Sequence, residues 1–181
     1  KAAIREMDAA VRWLNALLEE REPKFGSADD LGHQQLLDRN RTEYRSVLSE
    51  QQATLRSIAE QAEQKRLELS ETEGRLSNTR AALSVANEQY AMMAKLRKSR
   101  AASRSDVLTA KSRKVDLEGQ RDAMQLAIPR LRAAISEAEA RSEEQVARFR
   151  SRMSLRLNEV SAKLASVRQS VAVDADRVSR A

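Results

Sequence analysis

A row of apolar residues with strict seven-residue spacing constrains the fold of this chain most strongly. The row lies in the first half of the chain and consists of Leu48, Leu55, Ala62, Leu69, Leu76, Leu83 and Tyr90. A weaker second row accompanies it, formed by Ile58, Thr72, Thr79, Ala86 and Met93. A strict seven-residue repeat places apolar side chains along one side of a helix and predicts a left-handed coiled coil. We therefore expect one long helix over residues 31–97.

A short tip over residues 98–103 interrupts this periodicity. Ser103 is followed three residues later by Asp106, a spacing typical of a capping box at a helix start. A second long helix is expected over residues 104–175, with a kink at Pro129. Its apolar seam is Leu131, Ile135, Ala138, Val146, Phe149, Met153, Leu157, Val160, Leu164, Val167 and Val171. Because the connection is short, the two long helices should form an antiparallel hairpin.

A shorter helix is expected before the hairpin, over residues 2–21. Its apolar face consists of Ile4, Met7, Val11, Leu14 and Leu18. Pro23 should end it, leaving a loop over residues 22–30 in which Ser27, Asp29 or Asp30 caps the next helix. A free helix of this length is marginal in water. It should therefore pack on the hairpin as a local three-helix bundle.

The composition supports an all-α fold. Charged residues make up 33% of the chain and aromatic residues only 3%, with 4 Gly and 2 Pro, as in long helices and coiled coils. The chain has no Cys, which excludes disulfides and thiolate metal sites. No apolar run approaches the roughly 18 residues of a membrane span. The chain opens and stops within helical patterns, so we expect it to be one helical-hairpin domain, 1–181, excised from a longer protein.

The sequence contains no set of residues suited to catalysis. His33 is the only histidine, and we expect it to face solvent near a helix start. The acidic residues are spread along helix faces, without the spacing of a metal site, and there is no glycine-rich phosphate loop. We therefore predict a protein that is not an enzyme and that has no cofactor and no metal.

The tip is strongly basic. Eight basic residues surround it, and Asp106 is the only acid between positions 95 and 115: Lys95, Arg97, Lys98, Arg100, Arg104, Lys111, Arg113 and Lys114. Three interpretations stay open on charge alone: a solvated hairpin end, a site for an acidic protein surface, or a site for nucleic acid phosphates. Nucleic acid is the least favoured partner, because the aromatic residues that stack on bases are missing.

Several segments, taken in order, resemble the periplasmic adaptors (membrane fusion proteins) of the HlyD family. They are residues 22–25 (EPKF), 101–108 (AASRSDVL), 116–120 (DLEGQ), 127–131 (AIPRL), 134–139 (AISEAE), 157–160 (LNEV) and 176–180 (DRVSR). The resemblance covers nearly the whole chain. It implies a helical hairpin inserted in a lipoyl domain, with a β-barrel domain nearby, and both of those domains would lie outside this chain.

The resemblance also implies a function in type I protein secretion. Adaptors of this family sit on an inner-membrane ABC transporter, form a ring, commonly of six subunits, and meet a TolC-like outer-membrane channel through their hairpin tips. They are periplasmic and anchored in the bacterial inner membrane, here by a segment outside the chain. The alternative is a structural coiled-coil arm of a larger cytoplasmic or filamentous protein. Lipoyl-type strands in the flanking sequence would favour the adaptor.

The resemblance places the partner-binding site at the tip. Many adaptors carry Arg-x3-Leu-x6-Ser there, and this chain has the Leu and Ser but carries Met92 where Arg is expected. The site residues implied are Leu96, Arg97, Lys98, Arg100, Ser103 and Arg104.

Overall fold

Three helices account for the fold. The computed structural model describes residues 2–180, in which α1 spans Ala2–Leu18, α2 spans Leu31–Lys98 and α3 spans Arg104–Ser179. The expected all-α hairpin with a short N-terminal helix is confirmed. The chain divides into two compact units, one formed by the residues up to Ser57 and from Arg141 onward, and the other by Ile58–Ala140. None of the helices in the described range is long and apolar enough to cross a membrane.

The first helix ends three residues before the expected position 21 because its chain turns at Glu20. This residue has a φ of 55°, in the left-handed region. The Arg21 N–H donates to the Ala16 carbonyl at 2.9 Å, and the Glu20 N–H donates to the Leu17 carbonyl at 3.3 Å. These two bonds form a Schellman motif, which closes a helix by satisfying its last carbonyls. Pro23 therefore follows a helix that has already ended.

Of the three residues expected to cap α2, Ser27, Asp29 or Asp30, it is Asp30 that does so. The His33 N–H donates to Asp30 Oδ1 at 2.7 Å. This bond is the main reason that the pKa of Asp30 is lowered, and Arg5 lowers the pKa further. The expectation that His33 faces solvent is wrong, because its side chain is only 15% exposed. It folds back onto the loop, where its Nδ1 accepts from the Asp29 N–H at 3.2 Å.

The first unit is a three-helix bundle centred on Trp13. Trp13 and Leu14 of α1 are completely buried and pack with Met153 of α3. The Trp13 indole N–H donates to Asn40 Oδ1 of α2 at 3.1 Å. The Arg156 guanidinium lies 5.2 Å from the centre of the Trp13 ring. One side chain thus contacts both long helices, which fixes α1 against them.

The expected seam of α3 is wrong at two positions in this unit. Val146 is 37% exposed and Val171 is 46% exposed. The inward-facing residues of α3 in this unit are Phe149, Met153, Arg156, Leu157, Val160, Leu164 and Val167, together with the polar Ser142, Gln145 and Ser161. The other apolar residues expected between these two positions face inward as predicted: Phe149, Met153, Leu157, Val160, Leu164 and Val167.

The second unit is a two-helix coiled coil with the heptad rows at its centre. The two expected rows of α2 face inward throughout Ile58–Met93, as do Leu131, Ile135 and Ala138 of α3. Arg66 pairs with Glu139 at 2.6 Å and Arg132 pairs with Glu73 at 2.7 Å. The helix continues through Pro129 without interruption. The kink at this proline stays a prediction.

Candidate partner-docking site at the hairpin tip

A Schellman motif ends α2 at the tip. Its last turn holds three basic residues, whose charge is favourable beside the negative end of a helix. The Ala101 N–H donates to the Leu96 carbonyl at 2.8 Å, and the Arg100 N–H donates to the Arg97 carbonyl at 3.0 Å. Arg100 takes the left-handed position of the motif, with a φ of 61°. The chain thus reverses through defined hydrogen bonds rather than through a loose loop.

A capping box begins α3, as the sequence predicts. The Asp106 N–H donates to Ser103 Oγ at 3.1 Å, and the Ser103 N–H donates to Asp106 Oδ2 at 2.9 Å. Hydrogen bonding to Ser103 lowers the pKa of Asp106. The cap therefore favours the ionised form of the one carboxylate at the tip. Ser103 has a structural role here, whatever else its hydroxyl contacts.

The six candidate tip residues are brought together at the surface. All of them are exposed: Leu96, Arg97, Lys98, Arg100, Ser103 and Arg104. Within residues 2–180, no carboxylate forms an ion pair with the four basic side chains of this set. Their positive charge is therefore directed at solvent, where it is available to a partner.

Apolar side chains lie next to this charge. Leu96 is 36% exposed, and Met92, one turn earlier on α2, is 50% exposed. On α3, Leu108 is 55% exposed. The sequence reasoning missed Leu108 as a surface residue, although Leu108 directly follows the inward-facing Val107 and so falls outside the seam. Basic groups beside the apolar Leu96 suit contact with a protein surface that is both acidic and apolar.

The described residues offer nothing that resembles a metal centre. Within this part of the chain, no three side chains of His, Cys, Asp or Glu are grouped so that they could hold an ion. The chemistry available at the tip is that of ion pairing, hydrogen bonding and apolar contact.

Comparison with known proteins places the hairpin in a family. The model for the family described as "AprE, long alpha-helical hairpin" matches residues 3–177. Among solved structures, the soluble domain of LipC, a membrane fusion protein of a type I secretion system, is similar to this chain, with a TM-score of 0.85 and 15% sequence identity. That match covers 97% of this chain and 85% of the LipC chain. No curated protein sequence matches the chain significantly. Because the family model spans nearly the whole chain, the protein belongs to the AprE long α-helical hairpin family, which confirms the resemblance seen in its sequence.

Proposed function

We propose that this hairpin belongs to a periplasmic adaptor that links an inner-membrane ABC transporter to a TolC-like outer-membrane channel in type I protein secretion. The chain is a hairpin domain of the membrane fusion protein type. Its role in this proposal is structural rather than enzymatic. The hairpin forms part of a conduit wall and presents its tip to the channel.

The observation that carries the proposal is the form of the tip. Four basic side chains project from a reversal that is closed on one side by a Schellman motif and on the other by a capping box. A rigid tip spends little conformational entropy when it docks, which favours binding. Unpaired positive charge favours an acidic partner surface and speeds the encounter with it. An acidic rim on the outer-membrane channel would meet both conditions.

The remaining parts of the proposal follow from the family. Copies of the adaptor form a ring, commonly of six subunits, around the path of the secreted protein. The ring lies in the periplasm and is held at the inner membrane by a segment outside this chain. Lipoyl and β-barrel domains flank the hairpin in the intact adaptor.

The experiment is charge reversal at the tip within the intact secretion complex. Arg97, Lys98 and Arg100 are changed together to Glu, and co-purification of the outer-membrane channel and secretion of the cargo are measured. Both should be lost while the adaptor stays bound to its transporter, because the altered tip repels an acidic rim. The loss should be partly relieved at high salt, which screens exposed charges.

A matched control reverses three exposed arginines away from the tip. The residues are Arg45, Arg56 and Arg130. This variant has the same net charge as the tip variant and should retain channel binding and secretion. Equal loss in both variants would point to net charge instead of docking, and full secretion by the tip variant would refute the proposed role of these residues.

A further inference from the structure

Two exposed strips near the tip carry apolar residues that the hairpin does not use. The α2 strip consists of Val85, Glu88 and Met92, and the α3 strip of Leu108, Lys111 and Val115. Each strip has its apolar residues seven positions apart, with a charged residue three positions after the first. Val85 is 54% exposed and Val115 is 52% exposed, and the other two apolar members are similarly open. Exposed apolar rows of this kind mark contact surfaces.

The charged members of the strips are opposite in sign. Glu88 and Lys111 are both exposed, and neither has an ion-pair partner in the part of the chain that the structure describes. The α2 strip is therefore apolar, acidic, apolar, and the α3 strip is apolar, basic, apolar. Surfaces with this relation are complementary in charge and alike in spacing.

The two strips lie on opposite flanks of the coiled coil. The pairs Arg66–Glu139 and Arg132–Glu73 mark one flank. Lys111 precedes Arg132 by three heptads, so the α3 strip lies on this flank. On α2, position 87 lies three heptads after Arg66 and therefore in the same row. Val85 precedes position 87 by two residues, so its side chain is rotated by about 160° around the helix axis from the row of Arg66. The strips of one copy therefore point away from each other and cannot meet within one hairpin.

The strips nevertheless lie at similar heights along the hairpin. The Lys114 ammonium lies 5.6 Å from the centre of the Tyr90 ring, which sets the register of the antiparallel helices. Counting from this contact, Leu108 is level with Leu96 and Val115 with residue 89. The α3 strip thus lies about one helical turn, roughly 6 Å, closer to the tip than the α2 strip.

We propose that the α2 strip of one copy contacts the α3 strip of the next copy. The pairs in this contact are Val85 with Val115, Glu88 with Lys111 and Met92 with Leu108. All three pairs form when one copy is shifted along its hairpin axis by about one helical turn relative to the next copy. The contact is heterologous, because different surfaces of the two copies meet, and a heterologous contact closes into a ring when its rotation permits. A uniform shift between neighbours requires the hairpins to incline to the ring axis. This inference rests on the proposed function, because it names the surfaces by which the adaptor ring assembles.

Disulfide cross-linking in the intact secretion complex tests the contact. The chain contains no Cys, so introduced pairs can be read without background from this domain. The variant with both Met92→Cys and Leu108→Cys should give a ladder of cross-linked adaptors that extends beyond the dimer under mild oxidation. Each single variant should give no cross-linked species through this contact, because the same strip of two copies never meets itself. The control pair is Met92→Cys with Leu126→Cys. Leu126 lies on α3, as Leu108 does, and is 63% exposed, but it is outside the α3 strip.

A charge swap gives a second measurement that does not depend on cysteine chemistry. In the Met92→Cys, Leu108→Cys background, Glu88→Lys should abolish the ladder, and adding Lys111→Glu should restore it. Glu60→Lys is the matched control, because Glu60 is exposed and lies four heptads before Glu88 on α2. This control should leave the ladder intact.

The outcomes separate this inference from the proposed function. An absent ladder, a ladder of equal strength from the Leu126 pair, or dimers from a single cysteine variant would each overturn the contact, even where channel binding and secretion are normal. Loss of channel binding by the unmodified adaptor would instead overturn the proposed function. A ladder with restoration by the charge swap supports the contact.

Discussion

Arg100 occupies a backbone position that usually belongs to glycine. Its φ of 61° is the left-handed conformation that closes the Schellman motif of α2. A residue with a Cβ is destabilised by about 1–2 kcal/mol in this conformation, whereas glycine adopts it freely. We therefore expect Arg100→Gly to make the hairpin more stable while removing one of the charges proposed to dock.

The size of the gain follows from two opposing terms. Relief of the left-handed conformation contributes about 1–2 kcal/mol. The greater freedom of glycine in the unfolded chain offsets about 0.4–1 kcal/mol of this. With the middle of each range, the net gain in the free energy of unfolding should be about 0.8 kcal/mol. For a chain of this size, that corresponds to a rise in Tm of about 1–4 °C.

The assay compares Arg100→Gly with Arg100→Ala by thermal and urea unfolding. The alanine variant also loses the charge but keeps the Cβ, so the difference between the two variants isolates the backbone term. Glu20→Gly is a parallel case, because Glu20 closes α1 with a φ of 55°. Both Arg100 variants should bind the channel equally weakly. If Arg100→Gly is no more stable than Arg100→Ala, the left-handed conformation at position 100 does not destabilise the chain and the prediction is refuted.

Two further predictions concern the bundle and the cap. Trp13→Phe should lower the free energy of unfolding by about 1–3 kcal/mol in urea, because it leaves Asn40 Oδ1, on a residue only 3% exposed, without its donor; an unchanged midpoint would contradict this. The pKa of Asp106 is lower in the folded chain than its value of 3.8 in the unfolded chain. The stabilisation of the fold by this carboxylate is therefore present above pH 3.8 and is lost as the pH falls through the lower pKa of the folded chain. The difference in Tm between the unaltered chain and Asp106→Asn should therefore shrink as the pH falls below 3.8, and a constant difference would refute the role of this carboxylate.

Periodic burial made most of the hairpin predictable from its sequence. The heptad rows of α2 showed which side of this helix faces its partner, because the same positions of the repeat must be buried over many turns. The cap of α3 was predictable because both of its partners, Ser103 and Asp106, lie within one turn. Local chemistry and strict periodicity can be seen in the sequence without knowledge of the distant parts of the chain.

The features that escaped prediction depend on tertiary contacts or on unusual backbone angles. The burial of Trp13 follows from its contacts with α2 and α3, far away in the sequence. Val146 and Val171 continue the spacing of the α3 seam in the sequence, but both are exposed in the structure. The end of α1 was misplaced because Glu20 adopts a conformation that sequence rules reserve for glycine. The exposure of the tip was foreseeable from its charge, whereas its partner stays a proposal.

Site-specific photo-cross-linking from the tip tests the central claim most directly. A photoreactive amino acid replaces Arg97 in the intact adaptor, and the same residue replaces Arg130 on α3 in a separate variant. On irradiation of secreting cells, position 97 should give an adduct with the outer-membrane channel, and position 130 should give none. An adduct from position 130 but not from position 97, in complexes that still secrete, would contradict docking through the hairpin tip.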